Sequence, residues 1–312
     1  MTAAFDVVVA GGGIAGLTAG LTAARLGRKT LVLTGDVLGG QLLSINRIDG
    51  YPGFPDGVPG YELCPMAQEQ AAAAGADFAA TLLETLAPQD GAWRLTASDG
   101  EAYNARAVIL ATGAGLKPLG VPGEARLAGK GVSHCASCDA PLLRGRTAVV
   151  VGGGDSAAQE ALTLAESVAR VILVHRGPAL SAQAAYREAA LAQPRIELRA
   201  NSVVEEILGD AKVEGLRIRD RAAGAGADLE AAGVFIYIGL EPNAAVLQGR
   251  AALDPAGRIA TDPALRTSLP GVCAAGAVRS GWPGRAAASA GDGAAAAVAV
   301  DRYLRDRTWQ SS

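Results

Sequence analysis

Short apolar runs that end in glycine set the pattern of this chain. The run Phe-Asp-Val-Val-Val-Ala from Phe5 leads into Gly11-Gly12-Gly13, then into an amphipathic stretch, then into a second apolar run, Thr-Leu-Val-Leu from Thr30. The same order returns between Arg146 and Gly177, in RTAVVVGGGDSAAQEALTLAESVARVILVHRG. Each segment predicts a buried strand, a glycine turn, an amphipathic helix and a second buried strand. Gly11 and Thr34 are as far apart in sequence as Gly152 and His175, and this matched spacing predicts two βαβ units. Parallel strands joined through a helix imply right-handed crossovers and an α/β fold with two Rossmann-like dinucleotide-binding domains.

Glycine at the end of such a strand lets the backbone turn sharply. It also lets a diphosphate reach the amides at the following helix N-terminus, where the helix dipole favours negative charge. Gly11, Gly13 and Gly16 fit GxGxxG, and Gly152, Gly154 and Ala157 fit the GxGxxA variant, with Asp155 and Ser156 opening the second helix. Two matches at one internal spacing point to two nucleotide-sized sites.

Further signals lie between and after the repeats. AVILATGAGLKPL predicts a buried strand ending at Ala111-Thr112-Gly113, and the Pro- and Gly-rich GLKPLGVPGE that follows predicts a linker. GVFIYIGLEPN predicts another buried strand, LPGVCAAGAV a short strand with a glycine turn, and GDGAAAAVAVDRYLRD a terminal helix with Asp292 near its start. QLLSINRIDGYPGFPDGVPGYEL reads as a long loop, the kind of segment that contacts ligands. The second repeat is therefore expected as an insertion, residues 116–244, within a discontinuous domain of residues 1–115 and 245–312.

With 50% hydrophobic and 19% charged residues, the 312-residue chain can bury two cores. A net charge of −3 argues against nucleic acid, which would call for a basic stripe. No basic region precedes the first apolar run and no uncharged run is long enough to span a membrane, so a cytoplasmic protein is expected.

Four cysteines in such a chain do not make a disulfide framework. Cys64 and Cys273 stand alone in apolar surroundings and are expected in the core. Cys135 and Cys138 form a CxxC directly before the second glycine motif, with Asp139 behind it. Three readings stand: a redox-active pair, half of a zinc site, or two inert thiols. Zinc needs four ligands and only His134 is adjacent, so no metal is expected. Beside a βαβ unit the spacing favours redox chemistry, with a thiolate stabilised at a helix N-terminus and Asp139 placed to move the proton. A flavin mediates between a hydride donor and a disulfide, so two dinucleotide sites and a dithiol suggest FAD, a nicotinamide and the cysteine pair in series.

These motifs together resemble the small bacterial-type thioredoxin reductases. The resemblance runs collinearly through GGGIAGLTAG, TGDVLGGQL, IDGYPGFP, ILATGA, HCASCD, GGGDSAAQEALTLA, VHRG, YIGLEPN, GVCAAGAV and SAGDGAAAAVAVDRYL. It implies an FAD domain built from both chain ends, an inserted nicotinamide domain carrying the cysteines, and a homodimer. It implies that Gly11, Gly13, Ala15 and Gly16 hold the FAD diphosphate. Thr34, Gly35, Gly40, Gln41, Leu42, Thr112 and Gly113 would line the rest. Cys138 would meet the flavin, Cys135 would attack the substrate disulfide, and Asp139 would be the acid–base. Gly152, Gly154, Asp155, Ser156, His175 and Arg176 would serve NADPH or NADH.

The chain also departs from the family. Where the family's nicotinamide strand ends in His-Arg-Arg with a further arginine four residues on, this chain has His175-Arg176-Gly177 and Ser181, with Arg187 the next cation in line. Where the family has Ala-Gly-Asp, this chain has Gly276-Ala277-Val278, and the usual Arg-Gln pair beside the flavin reads Gly284-Arg285; the resemblance still implies that Gly276, Ala277, Arg285 and Ala286 line the FAD. The expected activity is FAD-dependent thiol–disulfide exchange with a thioredoxin-like protein or a small-molecule disulfide. Two alternatives are a dithiol oxidase passing electrons to oxygen, with a ferredoxin-type donor as a variant, and a non-catalytic flavin or redox sensor.

Overall fold

In the computed structural model, which describes residues 3–309, the first apolar run forms strand β1 (Ala3–Ala10). Beyond the glycines, α1 (Ile14–Arg25) carries the chain back to β2 (Thr30–Leu33), parallel to β1. After α2 (Gly60–Ala73), β3 (Asp77–Ala79) adds in parallel to β2. The strands β4 (Leu83–Gln89), β5 (Ala92–Ala97) and β6 (Ala102–Leu110) then form an antiparallel meander. β6 returns to pair in parallel with β1, closing the crossover.

The chain splits into two units, Met1–Gly115 with Glu241–Ser312, and Leu116–Leu240. β7 (Ala114–Leu116) carries it out of the first unit. In the second unit β8 (Val132–Ser133) leads into α3 (Ala136–Asp139), and β9 (Thr147–Gly152), α4 (Asp155–Ala165) and β10 (Arg170–Val174) form the second βαβ repeat. Then come α5 (Ala184–Ala192) and β11 (Ile196–Arg199). The strands β12 (Ser202–Leu208), β13 (Gly215–Asp220) and β14 (Gly226–Glu230) make a separate antiparallel sheet. β15 (Gly233–Tyr237) rejoins the main sheet, whose order is β11-β10-β9-β15-β8. After β16 (Leu240–Pro242), the first unit resumes with β17 (Val272–Ala274), parallel to the C-terminal half of β6, and ends in α6 (Ala286–Asp306).

Alternation on the buried strands explains the layers. Val8 and Ala10 join one core of the first unit, while Val7 and Val9 join the other with Ala15, Ala19, Ala23, Ala296 and Ala297 of the covering helices. In β9, Val149 and Val151 face the antiparallel sheet, and Ala148 and Val150 face α4. A strand buried on both faces loses the polar alternation of a surface strand, hence the uniform apolar runs in the sequence.

The antiparallel strands β4, β5, β12, β13 and β14 went unseen in the sequence. They are half exposed, and β13 and β14 carry a cross-strand charge pair, Arg217 with Asp228, in place of apolar runs. The long loop is also shorter than its composition suggests. Gly40–Ser44 forms a turn of 3-10 helix, and α2 begins at Gly60, where a Cβ would lie 1.7 Å from the Leu42 carbonyl oxygen.

α1 and α6 pack closely because their facing residues are small. A Cβ on Gly293 would lie 2.1 Å from the backbone oxygen of Ala15. Gly293→Ala is expected to lower the unfolding free energy by about 1–3 kcal/mol, the usual effect of overpacking a rigid contact. Urea denaturation followed by tryptophan fluorescence measures it, and an unchanged midpoint would show that the two helices separate freely.

Candidate functional site: a disulfide and two glycine turns

The strands of the second unit's main sheet run parallel, so the segments leaving their C-terminal ends emerge along one edge. Open α/β sheets take ligands at that edge. It carries the glycine turn after β9, His175-Arg176-Gly177 after β10 and the cysteines after β8. Cys135 and Cys138 form a disulfide with Cα atoms 5.3 Å apart. Cys135 caps α3, and its carbonyl accepts the Asp139 N–H at 3.3 Å. The Cys135 N–H donates to Ser133 Oγ at 3.1 Å, and Ser137 Oγ lies 3.5 Å from Cys135 Sγ. Ala136 is fully buried and anchors the turn, leaving Cys138 exposed and Cys135 and Asp139 half-buried. His134 Nδ1 lies 3.1 Å from the Ile236 carbonyl oxygen; a carbonyl only accepts, so this nitrogen carries the proton.

Glu160 and Tyr237 lie beneath the turn, and sequence reasoning singled out neither. Burial pushes the Glu160 pKa up, against the lowering effect of the nearby Ala136 N–H. The Tyr237 hydroxyl is buried beside Glu160 but short of hydrogen-bond geometry with any partner. Burial first, then the Glu160 charge, push it up. One signal was available: Glu160 stands between Ala157, Ala161 and Leu164 on the buried stripe of α4.

The second glycine turn is tightly built. At Gly152, φ is +151° and a Cβ would lie 2.2 Å from the Tyr237 carbonyl oxygen. Gly154 caps α4 and faces open space, the opening a diphosphate would need. Asp155 accepts from the Gln183 N–H at 2.7 Å and Nε2 at 2.8 Å, while Ser156 is exposed. The His175 ring lies on the turn, where a Cβ on Gly153 would come within 2.2 Å of Nδ1 and one on Gly177 within 2.9 Å of Nε2. Burial first, then the Arg176 charge, lower the His175 pKa, favouring the neutral ring. Ser181 does not project as a clamp residue, because its N–H and Oγ bond the Gly153 carbonyl at 2.8 and 3.1 Å.

In the first unit, β1, β2, β6 and β17 end on one edge. Gly11 has φ +124° and would place a Cβ 2.1 Å from the Ala111 carbonyl oxygen; a Cβ on Gly16 would lie 1.8 Å from the Gly11 oxygen. Gly13 caps α1 with no side chain bonded to that end and no acid in the first turn, and its Cβ direction is open to 4.0 Å. Ala15 is buried behind it. These features fit the diphosphate of a dinucleotide. Gly35, Gly40 and Gly113 hold positive φ around the same edge, with Gln41 exposed and Leu42 packed in the neighbouring cluster. Thr34 and Thr112 are engaged internally: Thr34 Oγ1 donates to Gly35 O at 3.1 Å, and Thr112 Oγ1 to Asn243 O at 2.7 Å. Ala277 offers only its carbonyl, which accepts from Arg258. The nearby carboxylate is Asp292, which accepts the Gly276 N–H at 3.0 Å and both Nε and Nη2 of Arg279 at 2.7 and 2.8 Å. Arg285 caps α6, whose first residue is Ala286.

The free cysteines are both buried, and burial pushes the Cys64 thiol up to about 11. Among the described residues, no helix is long and apolar enough to cross a membrane.

Comparison with known proteins gives a consistent set of relatives. A family profile described as pyridine nucleotide-disulphide oxidoreductase matches residues 5–293. Thioredoxin reductase of Treponema pallidum is 38% identical over 96% of this chain and 97% of its own, and that of Mycolicibacterium smegmatis is 39% identical over 97% of both. The crystal structure of Lactococcus lactis thioredoxin reductase superposes with a TM-score of 0.94 at 34% identity, covering 97% of this chain and 99% of that one.

The raised pKa of Glu160 has a consequence for stability. A carboxyl whose folded pKa lies above its unfolded value contributes stability that is full below the unfolded pKa and lost as pH rises through the folded one. Glu160→Gln, which keeps the acceptor for Ala136 without the charge, is therefore expected to gain stability relative to wild type as pH rises from about 4 to about 8. Thermal unfolding across that range checks it; parallel curves would mean that Glu160 ionises as freely folded as unfolded.

Proposed function

The chain belongs to the pyridine nucleotide-disulphide oxidoreductase family, on its thioredoxin reductase branch, and from that premise we propose that it passes electrons from a nicotinamide dinucleotide through FAD and the Cys135–Cys138 disulfide to a thioredoxin-like protein. The observation that carries this reading is the disulfide itself, set at the ligand edge of one Rossmann-like unit with Asp139 in the same turn. A reducing cytoplasmic compartment fits a pair that must cycle.

The first unit is assigned to FAD. Gly11, Gly13 and Gly16 would hold the diphosphate at the N-terminus of α1, with Gly276, Ala277 and the start of α6 beside the rest of the cofactor. Asp292 and Arg279 neutralise each other and so fix the Gly276 turn. The second unit is assigned to the nicotinamide dinucleotide at Gly152–Gly154. When bound, FAD supplies a two-electron carrier between hydride donor and disulfide.

The chain's own residues do the exchange. Two electrons open the sulfur–sulfur bond, giving one thiolate and, with one proton, one thiol. Asp139 takes that proton from the Cys138 thiol. The Cys135 thiolate, stabilised at the head of α3 and beside Ser137 Oγ, attacks the substrate disulfide and expels one substrate sulfur, which takes the proton from Asp139. The Cys138 thiolate then attacks Cys135 of the mixed disulfide, re-forming the ring and releasing the second substrate sulfur as a thiolate, which takes its proton from water.

Leu142 supports a protein substrate. It is an apolar side chain 80% exposed to water, only three residues beyond Asp139 in sequence. In Mycobacterium leprae a relative 37% identical to this chain is a bifunctional thioredoxin reductase/thioredoxin.

Anaerobic titration of the flavin-loaded protein tests the direction of flow. Nicotinamide dinucleotide should bleach the oxidised flavin band, and added thioredoxin should restore it. Bleaching by a dithiol alone, reversed by air and indifferent to either nucleotide, would overturn the reading in favour of a dithiol oxidase. Cys138→Ser should block restoration by thioredoxin. A second expectation concerns Leu142→Asp. It should raise KM for thioredoxin about tenfold, the equivalent of losing one buried leucine contact. Reduction of a small aromatic disulfide should stay unchanged, and an equal loss on both substrates would place Leu142 outside protein docking.

A further inference from the structure

The loop after β10 is bonded to an element far away in sequence. Arg221 follows β13 in the turn leading to β14, and its Nη1 donates to the Arg176 carbonyl oxygen at 3.1 Å. The connection is braced on both sides. The Arg221 N–H donates to Asn201 O at 2.7 Å, the Asn201 N–H to Gly177 O at 2.9 Å, and the Ser202 N–H to His175 O at 2.9 Å. Two guanidinium groups are thus attached to one short loop, at the C-terminal end of the second strand of the βαβ unit.

The charges around this loop are unbalanced. Arg199, at the end of the neighbouring strand, is paired with Glu197, which also holds Arg170. Asp220 turns its carboxylate onto the N–H groups of Ala222 and Ala223 at 2.7 and 2.9 Å. Asp155 is occupied by Gln183. Arg176 and Arg221 are both exposed, and among the described residues neither has a carboxylate partner. The end of the second strand is where dinucleotide folds read the adenosine ribose: an acid there takes a 2′-hydroxyl, and an arginine takes a 2′-phosphate. Here the residue at the strand end is His175, not an acid, and its ring lies on the glycine turn.

We infer that Arg221, reaching in from the β13–β14 turn, completes with Arg176 a binding point for the 2′-phosphate of the nicotinamide dinucleotide, and so selects NADPH over NADH. The inference rests on assigning the second unit to that cofactor. It adds a specificity residue outside the βαβ unit. Arg221 takes the place of a cation at position 177, where any side chain would crowd the His175 ring, and of one at position 181, where serine ties down Gly153.

Calorimetric titration of the full-length, flavin-loaded protein with NADP+ and NAD+ tests this without turnover. Wild type should bind NADP+ at least tenfold more tightly, and Arg221→Ala should lose about tenfold for NADP+, the size of one charge-assisted contact, while NAD+ changes less than about twofold. Arg221→Lys should recover part of the loss. Retained NAD+ affinity reports that the variant is folded. Equal binding of the two nucleotides by wild type, or an equal loss of both in Arg221→Ala, overturns the inference. So does an Arg221→Ala variant that keeps full NADP+ affinity. If wild type prefers NAD+, Arg221 is not a specificity residue but the disulfide chemistry stands, because flavin bleaching is measured separately.

Discussion

The close approach of a helix N-terminus to the end of a buried parallel strand is the constraint on which the rest of this structure depends. At Gly16 a Cβ would lie 1.8 Å from the Gly11 oxygen, and at Gly152 a Cβ would lie 2.9 Å from the Ala157 Cβ of α4. No side chain fits at either point. With glycine there, the helix axis points at the strand end and its first amides face a space that an anion can enter. The abundance of alanine and glycine along α1 and α6 follows from the same demand, since helices held that near a sheet must also lie near each other.

That geometry explains why the chemistry collects where it does. In each unit the parallel strands discharge their loops along one edge, so residues far apart in sequence meet without a dedicated binding loop. The disulfide uses this edge differently from the glycine turns. It stands on a four-residue helical turn held by Ser133, by the buried Ala136 and by Glu160 from beneath. A redox turn with so few backbone bonds of its own depends on that support, and Glu160 provides it at the cost of burying a carboxyl.

Legibility in the sequence followed the same division. The two repeats were readable because buried parallel strands are uniformly apolar and because glycine has few substitutes at such turns. The cysteine pair was readable from spacing alone. The antiparallel β12–β14 sheet was not, since its half-exposed strands carry cross-strand charges in place of periodicity. Glu160 and Tyr237 escaped because their importance lies in what they touch across the fold. Arg221 escaped for a related reason: it lies 45 residues from Arg176, and only the hairpin's return brings the two together.

The departures from the family pattern fall on side chains and leave the backbone cradles intact. Ala277 removes a carboxylate, yet the Gly276 turn beside it stays fixed by Asp292 and Arg279. Gly177 removes a cation, yet the glycine turn of the second unit keeps its geometry under the His175 ring. A diphosphate is recognised mainly by main-chain N–H groups and the helix dipole, which these substitutions do not touch. The sugar and its 2′ substituent are recognised by side chains, which they do. The expected consequence is a protein that keeps both dinucleotide sites and redistributes selectivity among neighbouring residues. The guanidinium of Arg221, which bonds the Arg176 carbonyl, is the group we infer to take over that selectivity.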